Sequence, residues 1–227
     1  MARFPSRLGP VSLPNYHMIS AYVRIAHKYQ MDAILAEWID YLKLHFTRSY
    51  VNWKAHAELL PPGFDLIHVI GVVNLARLVT CPSILITALA VCTALGPEIV
   101  HGFLREDGQR EMLSPDDLGR VFNAKGQLVQ ANAMATIFAL CPAVADMECK
   151  TPEECCKAIT ETFTEFCDWR RDDLLASLEF FPQWAPIREC LKCSGICLLC
   201  AKCLAERYDQ ELGNVWLNLP QIVNVQM

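Results

Sequence analysis

Residues 66–96, LIHVIGVVNLARLVTCPSILITALAVCTALG, are the most apolar part of the chain and set the terms for the rest. His68, Asn74, Arg77 and Pro82 interrupt the stretch, and the charge-free run after Pro82 is about 14 residues, short of the roughly 20 that a membrane-spanning helix needs. It reads as two buried helices. Asp65 can cap one over about 66–79, Pro82 takes the first position of the next, and Gly96 closes it. Two buried helices need a core around them. With 227 residues, 53% apolar and 20% charged, the chain is long enough to build one.

The flanking sequence repeats the helical theme. Met18, Ile19, Tyr22, Ile25, Ala26 and Tyr29 recur at helical spacing. Asp32 can cap a second helix with Leu35, Trp38, Ile39 and Leu42 on one side. Leu60-Pro61-Pro62-Gly63-Phe64 is a loop, and a turn-rich connection surrounds Asp107-Gly108. Ser114-Pro115-Asp116-Asp117 is a helix start with a hydroxyl cap, Pro at the first position and acids in the first turn. Residues 127–140 read as a small-residue-rich helix. Thr151-Pro152-Glu153-Glu154 is a capping box that launches a helix to about Trp169. A short helix follows from Asp172, and a last one should run from Pro186 to about Leu212, stopped by Gly213. Period-2 alternation is absent, so no strand is expected. The expected fold is all-α, an irregular multi-helix bundle of about eight or nine helices.

Several function classes drop out at this level. A net charge of −5 with no Lys/Arg cluster argues against nucleic-acid binding. The N-terminus lacks the apolar stretch of a secretory signal, so an intracellular, cytoplasmic or nuclear setting with reduced thiols is expected. Histidines 17, 27, 45, 56, 68 and 101 fall in no metal or nucleophile motif, and no phosphate loop or nucleophile elbow is present. Asp116-Asp117 and Glu153-Glu154 sit where helix dipoles favour acids. The expectation is a non-enzymatic chain.

Tyr22–Leu42, YVRIAHKYQMDAILAEWIDYL, resembles the end of a BTB/POZ domain, with its His-Lys-Tyr step at His27-Lys28-Tyr29. VVNLARLVTCPSILITALAVC is similar to the apolar helix pair that follows the domain in many fungal BTB/POZ proteins. LSPDDLGRVFNAKGQLV resembles their next helix start, and VWLNLPQIV their ending, with Trp216, Leu219 and Pro220. Spaced cysteines around 149–156 and 197–200 match as well. The resemblance spans residues 17–224 and implies that 1–47 are the last helices of a BTB/POZ-like domain and 48–227 a helical, BACK-like extension. It implies a protein–protein interaction module or adaptor with a protein partner and no membrane. The family places strands and helices upstream of residue 20 and puts most of its dimer and cullin-binding surfaces on them, so the resemblance to residues 17–224 leaves those two functions open. A truncated form would leave apolar residues Ile19, Tyr22, Val23, Ile25 and Leu35 short of neighbours, and self-association through these N-terminal helices would cover them.

The cysteines offer an alternative. Cys190, Cys193, Cys197, Cys200 and Cys203 fall within fourteen residues. The gaps differ from those of paired zinc knuckles and of iron–sulfur runs. Steps of three, four and three follow a helix, so the leading reading is a continuous helix with cysteines as small buried hydrophobes and no cofactor. On such a helix Cys190 and Cys203 would lie about 20 Å apart and cannot share a metal. The sharper reading pairs Cys197 and Cys200 with Cys149 and either Cys155 or Cys156. That set would hold a structural zinc in a four-thiolate tetrahedron, giving a zinc-stabilised or thiol redox-sensing domain.

Overall fold

In the computed structural model, residues 14–55, 60–141, 143–173 and 195–226 are described, with side chains to Thr164 in the third segment. Among them run nine α-helices: α1 (Tyr16–Lys28), α2 (Asp32–His45), α3 (Tyr50–Ala55), α4 (Val69–Leu78), α5 (Pro82–Cys92), α6 (Pro115–Leu140), α7 (Pro152–Asp173), α8 (Leu198–Leu217) and α9 (Leu219–Ile222). The all-α expectation holds, with one correction. Phe103–Leu104 (β1) and Arg110–Glu111 (β2) form a small antiparallel hairpin around the Asp107-Gly108 turn. Its strands are too short to show alternation in the sequence.

α5 is the centre. Every residue from Ile84 to Cys92 is buried, as expected of a helix apolar on all sides. α4 packs along it, α1 packs on α2 and α4, and α6 packs against α5 and α8. One continuous core joins Tyr16, Ile19 and Val23 of α1 to Ile70 and Leu75 of α4, Leu89 of α5, Val121 and Leu128 of α6, and Tyr208, Leu212 and Trp216 of α8. A separate small cluster unites Leu140, Ile159 and Leu204, with Phe163 and Ile196 against it.

Local signals explain most starts. Asn15 caps α1 by accepting from the Met18 N–H, and Ser114 caps α6 by accepting from the Asp117 N–H. Pro82 opens α5 as expected. Asp65 caps a short 3-10 turn ahead of α4, and its own N–H is taken by His68 Nδ1. Asp32 opens α2 from inside the helix, because the bend is made by Gln30 at φ 55° and the capping position falls to Met31. Residues 127–140 are the second half of α6.

Two boundaries need larger correction. α7 continues through Asp173, past both the expected stop at Trp169 and the expected new start at Asp172. α8 does not arise by continuation from Pro186. Gly195 takes φ +79°, Cys197 is the N-cap in extended backbone, and the helix then runs through Gly213 to Leu217. Tyr50 of α3 packs over Gly213, where a Cβ would still find ordinary contact at 3.5 Å, so nothing forces a stop there. Pro186, Cys190 and Cys193 lie outside the described residues.

The N-terminal helices are covered on one side. Ile19 and Val23 are fully buried and Leu35 is partly covered, contrary to the expectation for them. Tyr22, Ile25, Tyr29 and Met31 are exposed, Tyr22 with its ring stacked on Trp38 at 5.2 Å.

Candidate metal centre

Cys149 belongs to a turn that Asp146 builds. The Asp146 carboxylate accepts from the Glu148 N–H, and its carbonyl accepts from the Cys149 N–H. Cys155 sits one turn into α7, where its N–H donates to the Thr151 carbonyl at 3.0 Å and its sulfur lies 3.7 Å from the Thr151 hydroxyl. Cys197 caps α8, and Cys200 lies in the first turn of that helix. These placements converge. The four sulfurs lie within 4.8 Å of one another. Cys149 Sγ is 3.6 Å from Cys155 Sγ and 3.7 Å from Cys197 Sγ. Four thiolates around one ion at about 2.3 Å each would be separated by about 3.8 Å, the edge of that tetrahedron.

The backbone treats these sulfurs as acceptors. The Asp146 N–H donates to Cys200 Sγ at 3.2 Å, the Cys197 N–H to Cys155 Sγ at 3.5 Å, and the Cys200 N–H to Cys197 Sγ at 3.5 Å. The Thr151 N–H donates to Cys149. Each of the four sulfurs thus receives one amide. The Cys200 N–H at the start of α8 pulls the Cys197 thiol down to about 7. Desolvation pushes the Cys149 and Cys200 thiols up. Four thiols this close cannot all ionise against each other's charge, and a thiophilic divalent cation removes that obstacle. Cys155 and Cys200 are buried, whereas Cys149 and Cys197 are half-buried.

Of the candidate ligands, Cys149, Cys155, Cys197 and Cys200 come together, and Cys156 does not. Adjacent residues on a helix point about 100° apart, so α7 can offer only one of its paired cysteines to Cys149. Cys203 continues along α8 outside the group.

A second polar assembly escaped the sequence. Glu111 of β2 is buried, and its carboxylate accepts from Tyr16 Oη at 3.0 Å, from Asn74 Nδ2 at 3.1 Å and from Arg24. Tyr16 stacks on His68 at 4.7 Å. Both carboxylate oxygens are occupied, and the hub ties the hairpin to α1 and α4. No local pattern marks it, because its members come from three distant stretches. A small hollow of about 130 Å³ beside it is lined by His17, Ser20, Arg24, Arg105 and Asp107. His27 is exposed on α1, and among the described residues no helix is long and apolar enough to cross a membrane.

Comparison with known proteins yields no matching family model, no matching curated protein and no matching solved structure.

Proposed function

We propose that this chain is a helical domain whose C-terminal part is organised by one structural zinc ion bound to Cys149, Cys155, Cys197 and Cys200. The observation that carries the reading is the convergence of four sulfurs from three separate stretches, each accepting a backbone N–H. All four positions of a tetrahedron are filled by protein, which is the pattern of a structural site rather than a catalytic one. A soft all-sulfur set selects zinc or iron over magnesium or calcium. Metal analysis of protein purified under reducing conditions tests it. About one zinc per chain supports the reading, and a thiol-competent, folded chain that takes up none refutes it.

The adaptor reading of BTB/POZ type has one observation in its favour, the exposed apolar side chains of Tyr22, Ile25, Tyr29 and Met31. It predicts concentration-dependent self-association that Ile25→Glu with Tyr29→Glu abolishes in sedimentation measurements. A chain that stays monomeric at high concentration removes this second reading's self-association.

A further inference from the structure

We infer that the tetrathiolate is a latch: metal occupancy decides whether α7 is docked on the body, while the main core stays folded either way. This rests on the zinc reading and adds what the ion controls.

The argument starts from where each helix is anchored. α6 contributes Val121, Leu128 and Ala135 to the main core, and α8 contributes Tyr208, Leu212 and Trp216. Both helices are therefore held independently of the cysteines. Over its described side chains α7 contributes nothing to that core. Cys155, Ala158, Ile159 and Thr162 are its buried residues, and Ile159 meets Leu140 from the end of α6 and Leu204 from α8, with Phe163 alongside. Its outward side is polar: Glu153, Glu154, Lys157, Thr160, Glu161 and Thr164 are exposed. Lys157 pairs with Glu161, and Thr160 and Thr164 bond to their own helix, so these groups add no tie to the body.

A cluster of three fully buried aliphatic side chains is a weak hold for the part of α7, Pro152 to Thr164, whose side chains are described. A second tie is Cys155, one turn before Ile159. Its sulfur accepts from the Cys197 N–H and faces Cys149. An ion shared by the four sulfurs would close the chain between Cys155 and Cys197 and fix the first turn of α7 against the first turn of α8. Without it, the Cys197 N–H on Cys155 Sγ at 3.5 Å is the bond described between those two first turns. Over the described side chains of α7, the hold is then left to Ile159 against Leu140 and Leu204, with Ala158 and Thr162 buried beside it. Release of α7 would uncover those side chains and Phe163, an apolar surface present only in the metal-free state.

Hydrogen exchange on the full chain in reducing buffer tests the latch, comparing the zinc-loaded protein with protein stripped by a chelator. Zinc content is measured on the same samples. The expected result is exchange at least about tenfold faster at residues 152–164 and 198–204 after stripping, with α4 and α5 unchanged. Cys197→Ala should reproduce the stripped pattern, and Cys156→Ala should not. Two outcomes overturn the latch: protection unchanged everywhere after zinc is lost, or protection lost throughout the chain. A wild-type sample that binds no zinc at any stage overturns the metal reading itself, and the zinc assay separates that failure from the other two.

Discussion

Cys149 and Cys197 bring their sulfurs to 3.7 Å across 48 residues of chain. An ion held between such distant positions binds the folded chain and not the unfolded one, so its binding free energy adds to folding stability. Cys197→Ser should therefore lower zinc from about one per chain to near zero and cost on the order of 3 kcal/mol in the zinc-loaded protein. Cys156→Ser should change neither. Zinc analysis together with urea denaturation reads both effects.

Glu111 gathers three donors in a buried site. Glu111→Gln keeps the shape but removes the charge that Arg24 faces and turns one acceptor into a donor against Tyr16 or Asn74. The expected loss is about 2–3 kcal/mol, seen as a lower denaturation midpoint with an unchanged slope. A loss within experimental error would mean that the hairpin is not held by this carboxylate.

Gly71 explains why α4 and α1 can approach so closely. A Cβ built there would stand 1.7 Å from Tyr16 Oη and 2.3 Å from its Cζ. The Tyr16 ring is fully buried and cannot swing away. Gly71→Ala should destabilise by about 2–3 kcal/mol, against the usual gain from replacing a helical glycine. Thermal unfolding of this single variant is the check.

His68 predicts a pH limb. Burial holds its pKa below the ordinary value, against the opposing pull of Asp65, and its Nδ1 must stay unprotonated to accept the Asp65 N–H. The unfolded chain takes up a proton near pH 6.5, before the folded chain does. The stability that His68 contributes is thus full above about pH 6.5 and is lost as pH falls toward its folded pKa. His68→Gln should shrink the difference between denaturation midpoints at pH 7.5 and pH 5.5, both measured with zinc absent. An equal difference in the two proteins would count against this assignment.

The sequence made some features plain and hid others for physical reasons. The Ser114 cap and the first-position prolines Pro115 and Pro82 announce their helices because such signals act within a few residues. The cysteine rhythm from 190 to 203 suggested one continuous helix, because spacing alone cannot show that Gly195 turns the chain and that Cys197 is a cap. That break gives Cys197 its geometry: as a cap it points back along the axis and accepts from the Cys200 N–H. The choice between Cys155 and Cys156 depends on the phase of α7 against a turn made by Asp146, a relation between segments. Glu111 was invisible for the same reason, since Tyr16, Arg24 and Asn74 meet it only through tertiary packing.

The most direct test of the metal centre is cobalt substitution. Protein prepared metal-free in reducing buffer is titrated with Co²⁺ and followed by absorption. The account predicts saturation at about one cobalt per chain, with the intense visible bands of a tetrahedral site and strong sulfur-to-cobalt charge transfer, all displaced by added zinc. Each of Cys149→Ser, Cys155→Ser, Cys197→Ser and Cys200→Ser should weaken the charge-transfer band, and Cys156→Ser should leave it intact. A folded, fully reduced wild-type chain that gives only the weak spectrum of octahedral, water-bound cobalt would contradict the account.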